Sequence, residues 1–394
     1  MELTKSELEQ RCKKFKRLMD ETFPEWNTAV IFSQVNQYYF TGTMQDALLL
    51  INKEGAAHLF VRRSFERAKS EALFGEVYPM TRYNDVAGKL GADLGNIYID
   101  ATSAPYASVE RLGKSLKFSL KGSLETLLRN QRSVKSEYEL YWLKIAGTLS
   151  NQLLTEIVPG LMREGVSESD FYSEVANQMV KLGHQGVVRF WRYGAEIVIG
   201  HCCFGENALH PSYFEGVVGS KGNSPASPIV GNRQTFLKKG DLVLVDITFA
   251  LRGYHTDKTV VYSFGTPASQ EVQKAHALCL ELQRSVAQRL VPGAIPSKIY
   301  SDVMQQLSQE DKKGFMGLDS EAVSFLGHGV GLHVDELPVI AKGFDAPLEQ
   351  NMVFAVEPKK AVKGHGIAGV EDTFLVTPEG GLCLTGGGRD IIKV

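Results

Sequence analysis

The sequence predicts two domains: an α/β unit over residues 1–130, then a larger unit over 131–394 that opens with helices and turns β-rich. Three observations carry this reading. Short β-like runs alternate with helical stretches over the first third of the chain. A basic, polar stretch, RNQRSVK at Arg129–Lys135, separates that pattern from a different one. From about Gly186 onward glycine becomes frequent between apolar runs. The length of 394 residues agrees, since domains run to roughly 150 residues each.

The elements follow in order. Leu8, Cys12, Phe15 and Leu18/Met19 recur at helical spacing, so residues 5–20 form an amphipathic helix. Thr28–Ser33 reads as a strand. Ala47–Ile51 and Ala57–Val61 read as two strands around a turn at Asn52-Lys53-Glu54-Gly55. Phe65–Leu73 is helical, and Asn96–Asp100 is a further strand. In the second unit Ser136 and Glu139 have the spacing of a capping box. The helix they open runs through Tyr138, Trp142, Ile145 and Leu149 and ends by Val158-Pro159-Gly160. Ser167-Glu168-Ser169-Asp170 starts the next. His201–Arg233, rich in Gly, Ser and Pro, reads as a long functional or mobile loop. No internal repeat or low-complexity segment interrupts the chain.

Composition excludes some functions. Lys and Arg number 43 against 45 Asp and Glu, a net charge of −2. With no basic run, a nucleic-acid partner is not expected. No apolar run approaches the ~18 residues of a membrane span, and MELTKSELEQRCKKFKR lacks a signal-peptide core. The expected location is cytoplasmic. Five Cys, odd in number and without a CxxC pair, do not form a disulfide framework or a thiolate zinc site. The adjacent Cys202 and Cys203 read as buried thiols. Gly327–Gly331 lacks the third glycine and βαβ context of a dinucleotide loop, and GSKGNS at Gly219–Ser224 is not a phosphate-binding loop.

The chemistry is signalled by acids in apolar surroundings. LVLVDITFA carries Asp246 inside a strand-like run, where a carboxylate is costly to desolvate unless paired or bound to a cation. Asp257 precedes the run Val260–Phe264. Glu357 ends MVFAVEP, Glu371 leads into the strand of GVEDTFLV, and His328 lies between Gly327 and Gly329. Singly, each is ordinary. Together, four carboxylates and one imidazole suit hard or borderline divalent ions, and that many acids point to two ions.

The order Asp246, Asp257, His328, Glu357, Glu371 resembles the five-ligand dinuclear site of the aminopeptidase P, prolidase and methionine aminopeptidase superfamily. The segments KKGDLVLVDITFALRGYHTDKT, LGHGVGLHVDELP, NMVFAVEP and GVEDTFLVT carry the likeness, as does the eleven-residue step from Asp246 to Asp257. The resemblance spans the whole chain and implies a creatinase-like α/β N-terminal domain followed by an α+β pita-bread catalytic domain. It also implies two divalent ions, Mn or Co first, with Zn or Fe as alternatives. Asp246 would hold one ion, Asp257 and Glu371 would bridge, and His328 and Glu357 would complete the other. Glu357 is then the expected proton-transfer group, a peptide or small amide of the Xaa-Pro kind the expected substrate, and a homodimer the expected assembly.

Three positions depart from the family pattern. A histidine seventeen or eighteen residues before the first Asp ligand is replaced by Ile229 and Pro228. A second histidine, seven residues after the ligand His, is Asp335, with His333 two residues short of it. An arginine two residues before the last Glu is Gly369. His333 is the expected substitute imidazole, with His201, His210 and His365 behind it. Asp335, able only to accept hydrogen bonds, is the expected contact for a substrate amine. The same fold acting on a non-peptide small molecule, as an amidinohydrolase or lyase, and a non-catalytic binding module are the alternative readings.

Overall fold

A computed structural model describes residues 1–73, 76–213, 216–318 and 322–394. Contacts divide it into Met1–Arg132 and Ser133–Val394. In the first unit α1 (Lys5–Thr22) precedes β1 (Thr28–Ile31), α2 (Gln34–Thr41), β2 (Ala47–Asn52), β3 (Ala57–Val61), α3 (Phe65–Glu71) and β4 (Val77–Pro79). Then come α4 (Asn84–Leu90), β5 (Asp93–Ile99), α5 (Tyr106–Gly113), β6 (Lys117–Ser123) and α6 (Glu125–Ser133). Among the described residues the six strands form one sheet ordered β4-β3-β2-β1-β5-β6. Pairs β1–β2 and β2–β3 are antiparallel and the rest parallel. Val30, Leu48, Leu50, Phe60, Ile97 and Ile99 pack on Val86 and Leu112 of the helices.

The predicted strand Thr28–Ser33 stops at Ile31, because Ser33 caps a helix the periodicity did not signal. The Ser33 hydroxyl accepts from Asn36 N. Asp100, fully buried, accepts from the backbone N–H groups of Phe32 and Ser33 at 2.8 Å each and from the Asn36 amide. Buried donors and acceptor satisfy each other, and the chain turns there.

The second unit begins with α7 (Glu137–Gln152), whose Ser136/Glu139 capping box is present, followed by tighter and wider helical turns to Leu161 and α8 (Glu168–Lys181). Next come β7 (Gly200–Phe204), β8 (Leu242–Leu251), β9 (Tyr254–Ser263), α9 (Gln270–Gln288) and α10 (Pro296–Met304). The chain closes with β10 (Phe325–Gly329), β11 (Glu336–Ala341), β12 (Val353–Val356), β13 (Lys359–Val362), β14 (Gly366–Gly369), β15 (Asp372–Thr377), β16 (Gly380–Cys383) and β17 (Ile392–Lys393). Among the described residues the sheets are β17-β9-β8-β7, β11-β10-β12-β15-β16 and the ribbon β13-β14. One apolar cluster packs α7 and α8 on β7–β9, and another packs α9 and α10 on β10, β12 and β15.

Two expectations change here. The predicted loop from His201 starts as a strand, because His201–Phe204 pair in antiparallel register with β8; its residues 214–215 lie outside the described residues. The stretch read as β-rich also contains α9, where Ser269 caps a helix burying Val272, Ala275, Cys279, Leu282 and Val286 at helical spacing.

Candidate metal centre

Strand register explains the eleven-residue step. The hairpin β8–β9 turns through Arg252-Gly253, pairing Asp246 with Thr259 and Thr248 with Asp257. Directly opposed side chains share a face, as do residues two apart on one strand. Asp246 and Asp257 therefore stand diagonally on one face of the hairpin. On the other side of β8, His201 is the direct partner of Asp246, so its imidazole shares that face.

The second sheet brings the remaining donors. His328 lies on β10, paired with Ala355 of β12, and Glu357 follows the end of β12. The flanking glycines are required by neighbouring strands rather than by a ligand. A Cβ at Gly327 would stand 2.2 Å from the Ala355 carbonyl oxygen, and one at Gly329 would stand 2.3 Å from that of Leu337. Glu371, just before β15, bridges to Thr259 of β9 and so links the two sheets. Ligand atoms of Asp257, His328 and Glu371 all lie within 4.8 Å of one another. Two buried carboxylates and a half-buried imidazole converging in this way are a donor set that fits one divalent cation.

A lysine that the sequence reading passed over occupies the rest of the site. Lys359, fully buried at the start of β13, donates to Glu357 Oε2 at 2.7 Å and Glu371 Oε2 at 2.6 Å, and its Nζ is 3.3 Å from Asp246 Oδ2. The signal was available, since a lysine in AVEPKKAV is a charge between apolar runs like the acids already noted. Its cross-strand partner is Gly369, where the family pattern has arginine.

The charges respond to this crowding. Burial and the neighbouring Asp246 carboxylate push Asp257 up to about 7. Burial, with Asp257 and Glu357 nearby, raises Glu371 well above the ordinary carboxylate range. Burial opposes ionisation of Glu357 too, but Lys359 and His328 outweigh it and hold Glu357 down at about 2. His328 moves up to about 9 against its burial, through Glu357 and Asp257. Lys359 stays charged despite burial because three carboxylates surround it.

The other predicted site residues have defined settings. His333 is buried, and its backbone N–H donates to Glu336 Oε1 at 3.1 Å; Glu336 in turn pairs with the buried Lys135. Asp335 accepts from the backbone N–H groups of Trp191 at 2.6 Å and Arg192 at 3.0 Å, so both its oxygens are engaged in shaping that segment. His201 is 3% exposed, close to Asp246 and Lys359 and to the backbone of Ile229, the position where the family pattern has its histidine. His365 meets Ser269, and His210 is partly exposed.

Comparison with known proteins places the architecture. Residues 11–134 match the creatinase/prolidase N-terminal domain and residues 142–378 match metallopeptidase family M24. An uncharacterized peptidase of Staphylococcus aureus is 26% identical over 379 residues, covering 94% of this chain and 98% of the relative. A probable dipeptidase, PepE, of Mycobacterium tuberculosis is 29% identical over 270 residues, 68% of this chain and 62% of that protein. The solved prolidase of Pyrococcus horikoshii superposes with a TM-score of 0.77 at 22% identity, over 97% of this chain and all of that one. The Xaa-Pro dipeptidase of Bacillus anthracis gives 0.78 at 20% identity, over 97% of this chain and all of that one. A creatinase-like α/β domain and a pita-bread domain with this donor set make the chain a member of metallopeptidase family M24, which implies divalent metal ions at the site.

Proposed function

We propose that the chain hydrolyses the amide bond of a small Xaa-Pro-type peptide at the face shared by Asp246, Asp257, His328, Glu357 and Glu371. The observation that carries this reading is the convergence of buried Asp257 and Glu371 and half-buried His328 from separate strands into one cluster. A divalent ion held there, with Mn or Co expected by likeness to the family and Zn or Fe as alternatives, would supply Lewis acidity and an acidified water near neutral pH. The remaining work falls to the chain. Glu357 is ionised throughout the neutral range and accepts the proton lost from water at a carboxylate oxygen, then returns it to the leaving nitrogen. Lys359 donates to its Oε2 at 2.7 Å, which leaves Oε1 as the oxygen for proton transfer.

The missing family histidine has a structural substitute. His201 reaches the same face from β7, beside the backbone of Ile229, and supplies a neutral imidazole to a developing oxyanion. Asp335 remains a proposed contact for the substrate amine only if substrate displaces the Trp191 and Arg192 N–H groups from it. Assembly as a homodimer and a cytoplasmic location complete the proposal by likeness to the family.

The test is a panel of Xaa-Pro dipeptides, longer Xaa-Pro peptides and small amides, assayed with Mn²⁺ and Co²⁺. Cleavage confined to Xaa-Pro bonds and lost in Asp257→Asn supports the reading. Turnover of small amides with no peptide cleaved would favour the amidinohydrolase alternative instead.

A further inference from the structure

We propose that the Lys359 ammonium takes the place of the second cation, so that this site binds one divalent ion per chain, at Asp257, His328 and Glu371. The inference deepens the reading above and rests on its assignment of the donors. It begins with Glu371. A carboxylate that bridges two ions must give one oxygen to each. Here Oε2 accepts from Lys359 Nζ at 2.6 Å and from Thr259 Oγ1 at 3.0 Å. An oxygen has about two lone-pair sites, and both are used, so Oε1 alone remains for a metal.

Asp246 and Glu357 tell the same story. Asp246 would be the outer ligand of the second ion, and Lys359 Nζ is 3.3 Å from its Oδ2. Glu357 Oε2 receives the same ammonium at 2.7 Å, while its Oε1 lies 3.5 Å from His328 Nε2. An ammonium within 2.6–3.3 Å of Glu357, Glu371 and Asp246 engages one oxygen of each, oxygens that a second ion would need.

The backbone explains how the lysine came to fit. Lys359 and Gly369 are cross-strand partners on the β13–β14 ribbon, and a Cβ at Gly369 would lie 2.6 Å from Lys359 Cα. Lysine, with three donors on one point charge, then reaches three carboxylates from a single atom.

Metal stoichiometry tests this without substrate. Metal-free full-length protein is titrated with Mn²⁺, and bound metal is counted by elemental analysis and native mass spectrometry. Electron paramagnetic resonance is recorded on the same samples. Wild type should saturate at one Mn²⁺ per chain with an uncoupled six-line spectrum. Lys359→Gly should take a second ion and show exchange coupling. Two coupled ions in the wild type would overturn the inference, as would no bound ion at all. If the glycine variant does not fold, the wild-type count alone decides. Hydrolysis of Xaa-Pro peptides by a two-ion wild type would refute this inference and leave the proposed function standing. One ion with no such hydrolysis would do the reverse.

Discussion

Lys258 and Asp372 form a fully buried ion pair directly behind the proposed metal ligands, and removing one partner should destabilise the catalytic domain severely. Lys258 Nζ is 2.5 Å from Asp372 Oδ1, with the two side chains 1% and 0% exposed. Each is adjacent in sequence to a proposed ligand, Asp257 or Glu371, and successive residues of a strand face opposite ways. The ion pair therefore holds the strands from one side while the ligands project from the other. Asp372 also accepts from Thr385 Oγ1 at 2.8 Å and from the Gln283 amide at 3.3 Å. In Lys258→Met these two bonds persist, but a buried carboxylate loses its counter-charge, which costs about 3–5 kcal/mol. Adding Asp372→Asn removes that stranded charge and keeps an acceptor for Thr385, so the double variant should regain at least about 2 kcal/mol of it. Urea unfolding of the intact chain followed by tryptophan fluorescence reads both values, and Mn²⁺ affinity should fall with the single variant. A loss below about 1 kcal/mol for Lys258→Met, or a double variant worse than the single, would refute the reasoning.

Further expectations follow from the same geometry. Gly369→Arg restores the family residue but places a Cβ 2.6 Å from Lys359 Cα and from the Pro358 carbonyl oxygen, at φ +145°; it should lose at least about 2 kcal/mol by thermal unfolding, with Gly369→Ala losing a similar amount. Glu357→Gln should lower kcat by about 10²–10⁴-fold on any cleaved peptide while leaving the far-ultraviolet circular dichroism intact. His201→Phe should depress kcat by about 10²-fold with KM little changed, whereas His333→Ala should not; equal effects would remove His201 from the site. Burial pushes Asp100 up to about 7, despite three donors that favour its charge, so its folded pKa exceeds the unfolded value. Its contribution is then full below about pH 4 and lost as pH rises toward 7, a change on the order of 4 kcal/mol. Hydrogen exchange of the Phe32–Asn36 amides should report that decline, and Asp100→Asn should flatten it.

The acids of LVLVDITFA and its companions show how much the sequence by itself determined. A carboxylate costs so much in an apolar strand that its presence there announces a cation, and the eleven-residue step to Asp257 already encodes a hairpin whose register puts both acids on one face. Alternation of elements and the Ser136/Glu139 box likewise specified the α/β domain and the helix that opens the second, because these signals are local. The α/β unit was therefore legible from local spacing, and the family with its pita-bread domain from the resemblance that the ligand-bearing segments carry. What lay outside them was pairing between distant segments. That His201 stands opposite Asp246 depends on a strand 45 residues upstream choosing β8 as its partner. That Lys359 faces three acids depends on a ribbon and two sheets meeting at one point; the sequence marks it as a charge between apolar runs but not which charges it meets. Local free energies select helices, turns and misplaced charges; which charges then meet is decided only when the strands assemble and bury them together.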